Sequence, residues 1–85
     1  MSYRVDYSPA AGKFLRGLRD AVLLRRFDQA IGKLQNDPRP PGSVKLTGVS
    51  YHRIRVGDYR VLYRIKDDVL IVLVVEIGHR REIYR

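Results

Sequence analysis

Polar and apolar residues alternate at the start of the chain. Tyr3, Val5 and Tyr7 are separated by Arg4 and Asp6, which predicts a β-strand with one buried face. Ser8-Pro9 then predicts a helix start. A serine hydroxyl accepts from an unpaired N–H of the first turn, and proline's fixed φ suits the first helical position. Ala11, Phe14, Leu15 and Leu18 follow at helical spacing, while Lys13, Arg16 and Arg19 fall off that stripe. Asp20 predicts the cap of a second helix, whose stripe is Leu23, Phe27, Ala30, Ile31 and Leu34. That helix must stop near Asn36, because Pro38 disfavours a helical residue before it. Both stripes read as core packing of a helical hairpin laid on a sheet.

Residues 37–42, with Pro38, Pro40 and Pro41, form a stiff extended loop. No domain boundary is expected there, because the segment that follows is too short to fold alone. From residue 51 onward the pattern is strand. Residues 51–56 and 59–65 flank Gly57-Asp58, and a glycine first in a two-residue loop predicts a type II′ hairpin turn. Lys66, Asp67 and Asp68 predict the next turn. Residues 69–77 are apolar on both faces, which marks an inner strand, and Gly78 interrupts it. The expected fold is α+β in the order β-α-α-β-β-β, with one layer of helices on a four-stranded sheet and a single domain over residues 1–85.

Composition narrows the function. The 85 residues carry 45% apolar and 31% charged side chains, as a small globular domain does. There is no cysteine, which removes disulfides and thiolate metal sites. His52 and His79 are too isolated in sequence to suggest a metal centre, and no cofactor is expected. The apolar run 69–75 is far shorter than the roughly 20 residues a membrane helix needs. With no apolar signal-peptide core in residues 1–5, the expectation is a soluble cytoplasmic protein. The net charge of +8 favours a polyanionic partner, nucleic acid first and an acidic protein second, against the plainer reading of a basic surface that only keeps the chain soluble.

The hairpin sharpens this. A two-residue turn at Gly57-Asp58 sets Arg55 opposite Arg60, Arg53 opposite Leu62 and Tyr51 opposite Arg64. These residues then share one face, and Ile54, Val56, Tyr59, Val61, Tyr63 and Ile65, with His52 at the end, share the other. Like charges directly opposite destabilise a sheet by some tenths of a kcal/mol. A domain this small has little stability to spare, so the arginine face makes sense if an anion rests there. The competing expectation is that Glu76 or Glu82 neutralises it. If Val69, Ile71, Leu73, Val75 and Ile77 point to the core, Glu76 and Arg80 join the arginine side.

The motifs in hand resemble those of the RelE/ParE superfamily of bacterial and archaeal toxins, over nearly the whole chain. They are Asp37-Pro38-Arg39, Lys45-Leu46 before a glycine, the run 51–63 and the run 78–84. The resemblance implies a RelE-like fold and, on the RelE branch, a ribosome-dependent endoribonuclease that cleaves mRNA and inhibits translation. It also implies an acidic RelB-like antitoxin as partner. Carried residue by residue, the RelE pattern implies catalytic roles for Arg53, Arg55, Arg60, Arg80 and Tyr84. The hairpin pair is arginine here where lysine is frequent, which leaves the general base open. Tyr84 serves either as a base or as a stacking ring. His79 is either an acid or base or a strand-end residue, and Tyr51, Arg64 and Arg81 are expected RNA contacts. Two alternatives stand beside this: a ParE-like toxin that poisons DNA gyrase without cutting RNA, and a non-enzymatic binding module.

Overall fold

The computed structural model describes residues 2–79. The elements are β1 (Arg4–Tyr7), α1 (Pro9–Gly17), α2 (Ala21–Lys33), β2 (Val44–Lys45), β3 (His52–Val56), β4 (Tyr59–Lys66) and β5 (Ile71–His79). The strands form one sheet in the order β1-β5-β4-β3-β2. β1 runs parallel to β5, and the other pairs are antiparallel. Among the described residues the sheet thus has five strands rather than the expected four. The extra one, Val44–Lys45, pairs with Arg53 and His52 and is too short to carry a readable alternation.

Both predicted caps are present. The Ala11 N–H donates to Ser8 Oγ at 3.0 Å, and the Leu23 N–H donates to Asp20 Oδ1 at 3.1 Å. The helical stripes then land on the sheet. Ala11, Phe27, Ile31 and Leu34 are buried with Ile54, Val56, Val61, Tyr63, Val72, Val74 and Ile77. Phe14, Phe27 and Tyr59 meet edge to face with centroids 5.6 to 5.8 Å apart, a favoured aromatic geometry.

The last strand departs from the expected parity. Leu62 lies opposite Glu76 and Tyr63 opposite Val74, so Val75 has no partner on β4. This is a β-bulge, an extra residue that reverses the facing of everything on one side of it. Val72 and Val74 fill the core, and of the five residues expected there only Ile77 is buried. Ile71 and Leu73, opposite Lys66 and Arg64, face away from the helices. The turn is also longer than predicted. It spans residues 67–70 with Leu70 at φ 54°, and Val69 is exposed in it rather than packed.

Ser8 holds the bulge. Its hydroxyl donates to the Val75 carbonyl at 2.5 Å, and its N–H donates to the Val74 carbonyl at 2.8 Å. One serine therefore caps α1 and satisfies the strand where the ladder breaks. At the other end, the Tyr63 hydroxyl donates to the buried Pro38 carbonyl at 2.7 Å. Arg39 grips Asp67 with its two terminal nitrogens at 2.9 and 3.4 Å, and the Tyr3 hydroxyl donates to the same carboxylate at 2.6 Å. These contacts tie the proline loop to the sheet.

Candidate functional site

The β3–β4 hairpin has the predicted register: Val56 opposite Tyr59, Arg55 opposite Arg60, Ile54 opposite Val61, Arg53 opposite Leu62 and His52 opposite Tyr63. Gly57 has φ 60° and Asp58 is not in the left-handed region, the signature of a type II′ turn. Ile54, Val56, Val61 and Tyr63 sit under the helices. Arg53, Arg55, Arg60, Leu62 and Arg64 consequently project from the opposite face.

That face has relief. Arg55 and Arg64 are exposed and Arg53 is half-buried. Arg60, near the middle of the sheet, is only 7% exposed, as is Leu62. Its lateral neighbours are Arg55 on β3 and Gly78 on β5. A cation set this deep interacts more strongly with an approaching anion than a fully solvated one, because less water screens it. Tyr51 precedes β3, half-buried, and its carbonyl accepts from the Leu46 N–H at 2.9 Å.

Glu76 lies on this face, opposite Leu62, as predicted. It is exposed and pairs with no arginine among the described residues, and Glu82 lies outside them. The ion pairs among the described residues are Arg4–Asp6 at 3.0 Å and Arg39–Asp67 at 2.9 Å. Beside the arginines runs an apolar strip that sequence reasoning missed, Ile71 and Leu73, flanked by Arg4 and Asp6 on β1. The double-sided apolar character of residues 69–77 was its signal.

Both histidines lie on the helix side of the sheet, opposite Tyr63 and Tyr59. His79 lies opposite Tyr59, with ring centroids 5.6 Å apart, on the helix side. The structure therefore does not bring it to the arginine face as an acid or base. His52 stacks on Tyr63 at 5.8 Å, packed as expected for the core face. Burial, followed by the nearby positive charges of Arg39 and Lys45, holds its pKa below the ordinary histidine value. Arg80, Arg81 and Tyr84 lie outside the described residues. Among the described residues no group of three or more His, Asp or Glu side chains is arranged to hold a metal ion. No described helix is long and apolar enough to cross a membrane.

Comparison with known proteins agrees with the fold. Residues 5–84 match the family model for the ParE toxin of type II toxin–antitoxin system, parDE. Toxin RelG of Mycobacterium tuberculosis is 33% identical over 88 aligned positions, covering 100% of this chain and 99% of that one. Among solved structures, the archaeal RelE–RelB complex from Pyrococcus horikoshii is 28% identical with a TM-score of 0.83, over 96% of this chain and 99% of the other. The Mycobacterium tuberculosis RelBE2 toxin–antitoxin complex is 28% identical with a TM-score of 0.77, over 94% and 100%. With the hairpin register, the buried Arg60 and these full-length matches together, the chain belongs to the ParE toxin family of type II toxin–antitoxin systems, within the RelE/ParE superfamily.

Proposed function

We propose that this toxin is a ribosome-dependent endoribonuclease that cleaves mRNA and so stops translation. The observation that carries the reading is the pair Arg55 and Arg60, directly opposite on the face away from the helices, with Arg53 and Arg64 on the same face. Guanidinium groups bind phosphate oxygens through a planar fork, and their mutual repulsion falls when an anion lies between them.

RNA supplies its own nucleophile. The 2′-oxygen attacks the adjacent phosphorus in line, the bond to the 5′-oxygen of the next nucleotide breaks, and a 2′,3′-cyclic phosphate and a 5′-OH result. One proton leaves the 2′-OH and one reaches the departing oxygen, so the protein must orient the backbone, stabilise added charge on phosphorus and move two protons. Arg60 is assigned to charge stabilisation, since it stands opposite Arg55 on the middle strand of the arginine face. Arg53 and Arg55 position the backbone. Arg80 joins Arg60, and Tyr84 serves as base or stacking ring, both on the strength of the family pattern in the sequence. Tyr51, Arg64 and Arg81 are assigned to RNA contact; Tyr51 offers a ring for a base.

The same reading gives the partner. The structural relatives include toxins solved as complexes with RelB antitoxins, and a chain of net charge +8 suits an acidic antitoxin that covers the arginine face. The ParE match favours a second target, DNA gyrase, so the test must carry both arms. Purified protein is added to translating ribosomes and message ends are mapped, and separately to a gyrase supercoiling reaction. Message cleavage lost in Arg60→Ala supports the nuclease; gyrase inhibition without cleavage replaces it with the ParE activity.

A further inference from the structure

A shallow cavity of about 190 Å³ lies between α2 and the β3–β4 turn, away from the centre of the arginine face. Arg26, Gln29 and Lys33 line it from α2, and Arg55 and Gly57 from the hairpin. Arg26, Ala30 and Lys33 follow one another at helical spacing on the flank of α2 that meets β3. The Arg26 guanidinium rests over the turn, so that a Cβ at Gly57 would lie 3.4 Å from one of its nitrogens.

Nothing acidic lines this cavity. The ion pairs among the described residues lie elsewhere, and Arg26, Lys33 and Arg55 belong to neither. Asp58, in the turn, makes no ion pair with a described residue either. Burial and then the charge of Asp28, on the same helix, raise the pKa of Tyr7. Tyr7 is on β1, at the opposite edge of the sheet. Among the described residues no strand pairs with the edge of β3 at this point, since β2 meets β3 at His52 and Arg53. Arg55 thus borders both the open face and the cavity. An extended polyanion leaving Arg60 by way of Arg55 meets two further cations around the sheet edge.

We propose that Arg26 and Lys33, with Arg55, form a second phosphate site that grips RNA backbone outside the cleavage position. This rests on the nuclease reading and adds a place where RNA is held but not cut. The phosphate belongs either to the message strand or to ribosomal RNA, and two probes separate these. One is a fully 2′-O-methylated oligoribonucleotide, which lacks the nucleophile and is not cut; the other is message-free ribosomes.

Affinity is measured against salt concentration for the full chain, for Arg26→Gln/Lys33→Gln and for Lys13→Gln/Arg16→Gln, which removes equal charge from α1. The cavity pair is expected to weaken binding to one probe and to reduce the slope of log affinity against log salt by about one, the signature of a lost phosphate contact. The α1 pair is expected to leave that slope unchanged. Equal effects from both pairs, or an unchanged slope on both probes, overturn the proposal. If the double variant fails to fold, Lys33→Gln alone carries the same expectation. Cleavage by the wild-type chain on translating ribosomes is followed in parallel. Cleavage with an unaltered slope in the cavity variant sinks this site alone. A lowered slope without any cleavage sinks the nuclease reading alone.

Discussion

Arg55 and Arg60 face each other across the β3–β4 ladder, one exposed and the other almost wholly buried. Two guanidinium groups at paired positions are held together by the hairpin, not by attraction to each other. Replacing the exposed member therefore separates function from folding. Arg55→Ala is expected to keep or raise stability by some tenths of a kcal/mol, because it removes a like-charge cross-strand pair. The same variant is expected to lose message cleavage. Urea denaturation and a cleavage assay on one preparation check both; a clear loss of stability would show that Arg55 serves the fold.

Ser8 closes α1 and satisfies the bulged carbonyl of Val75. Ser8→Ala removes an acceptor from the helix start and a donor from the strand. The expected loss is about 1–2 kcal/mol, the upper part of the range for a helix cap, measured as a lower urea midpoint with unchanged slope. A loss near zero would mean that water replaces both bonds.

Two groups give the pH dependence. His52 is held below its ordinary value by burial and by Arg39 and Lys45. The unfolded chain therefore binds the proton more tightly, and stability falls as the pH drops through the ordinary histidine value of about 6.5 toward the lower folded-state value. Asp67 is also held low, first by its bond from Arg39 and then by that from Tyr3. Its contribution is complete above the ordinary carboxylate range and drains away as pH falls through the folded-state value. NMR titration is expected to put His52 below 6.5, and Asp67→Asn is expected to flatten the acid limb of the stability curve. A His52 that titrates above 6.5 would contradict this packing.

The hairpin was legible because a two-residue turn leaves one register, and register decides which side chains share a face. Both helix caps were legible because Ser8-Pro9 and Asp20 stand directly before apolar stripes. β5 was not. Val69, Leu70, Ile71, Val72, Leu73, Val74 and Val75 are all apolar, so sliding the alternation by one residue buries no polar group and no pattern locates the bulge. The fifth strand escaped for the opposite reason, since two residues cannot display a period. In the site, arginine identity and facing could be read from the sequence, but the depth of Arg60 could not. Arg60 stands on β4, the middle strand, and that placement only the assembled strand order provides.

Message cleavage by this toxin is tested by mapping the 5′ ends of message recovered from translating ribosomes treated with wild-type, Arg60→Lys or Arg60→Ala protein, and by determining the chemistry of the new termini. New 5′-OH ends and matching 2′,3′-cyclic phosphates are expected with the wild type, a loss of roughly a hundredfold or more in Arg60→Ala as for other removed charge-stabilising donors, and partial recovery in Arg60→Lys. Intact message with the wild type, or cleavage undiminished in folded Arg60→Ala, would contradict this expectation.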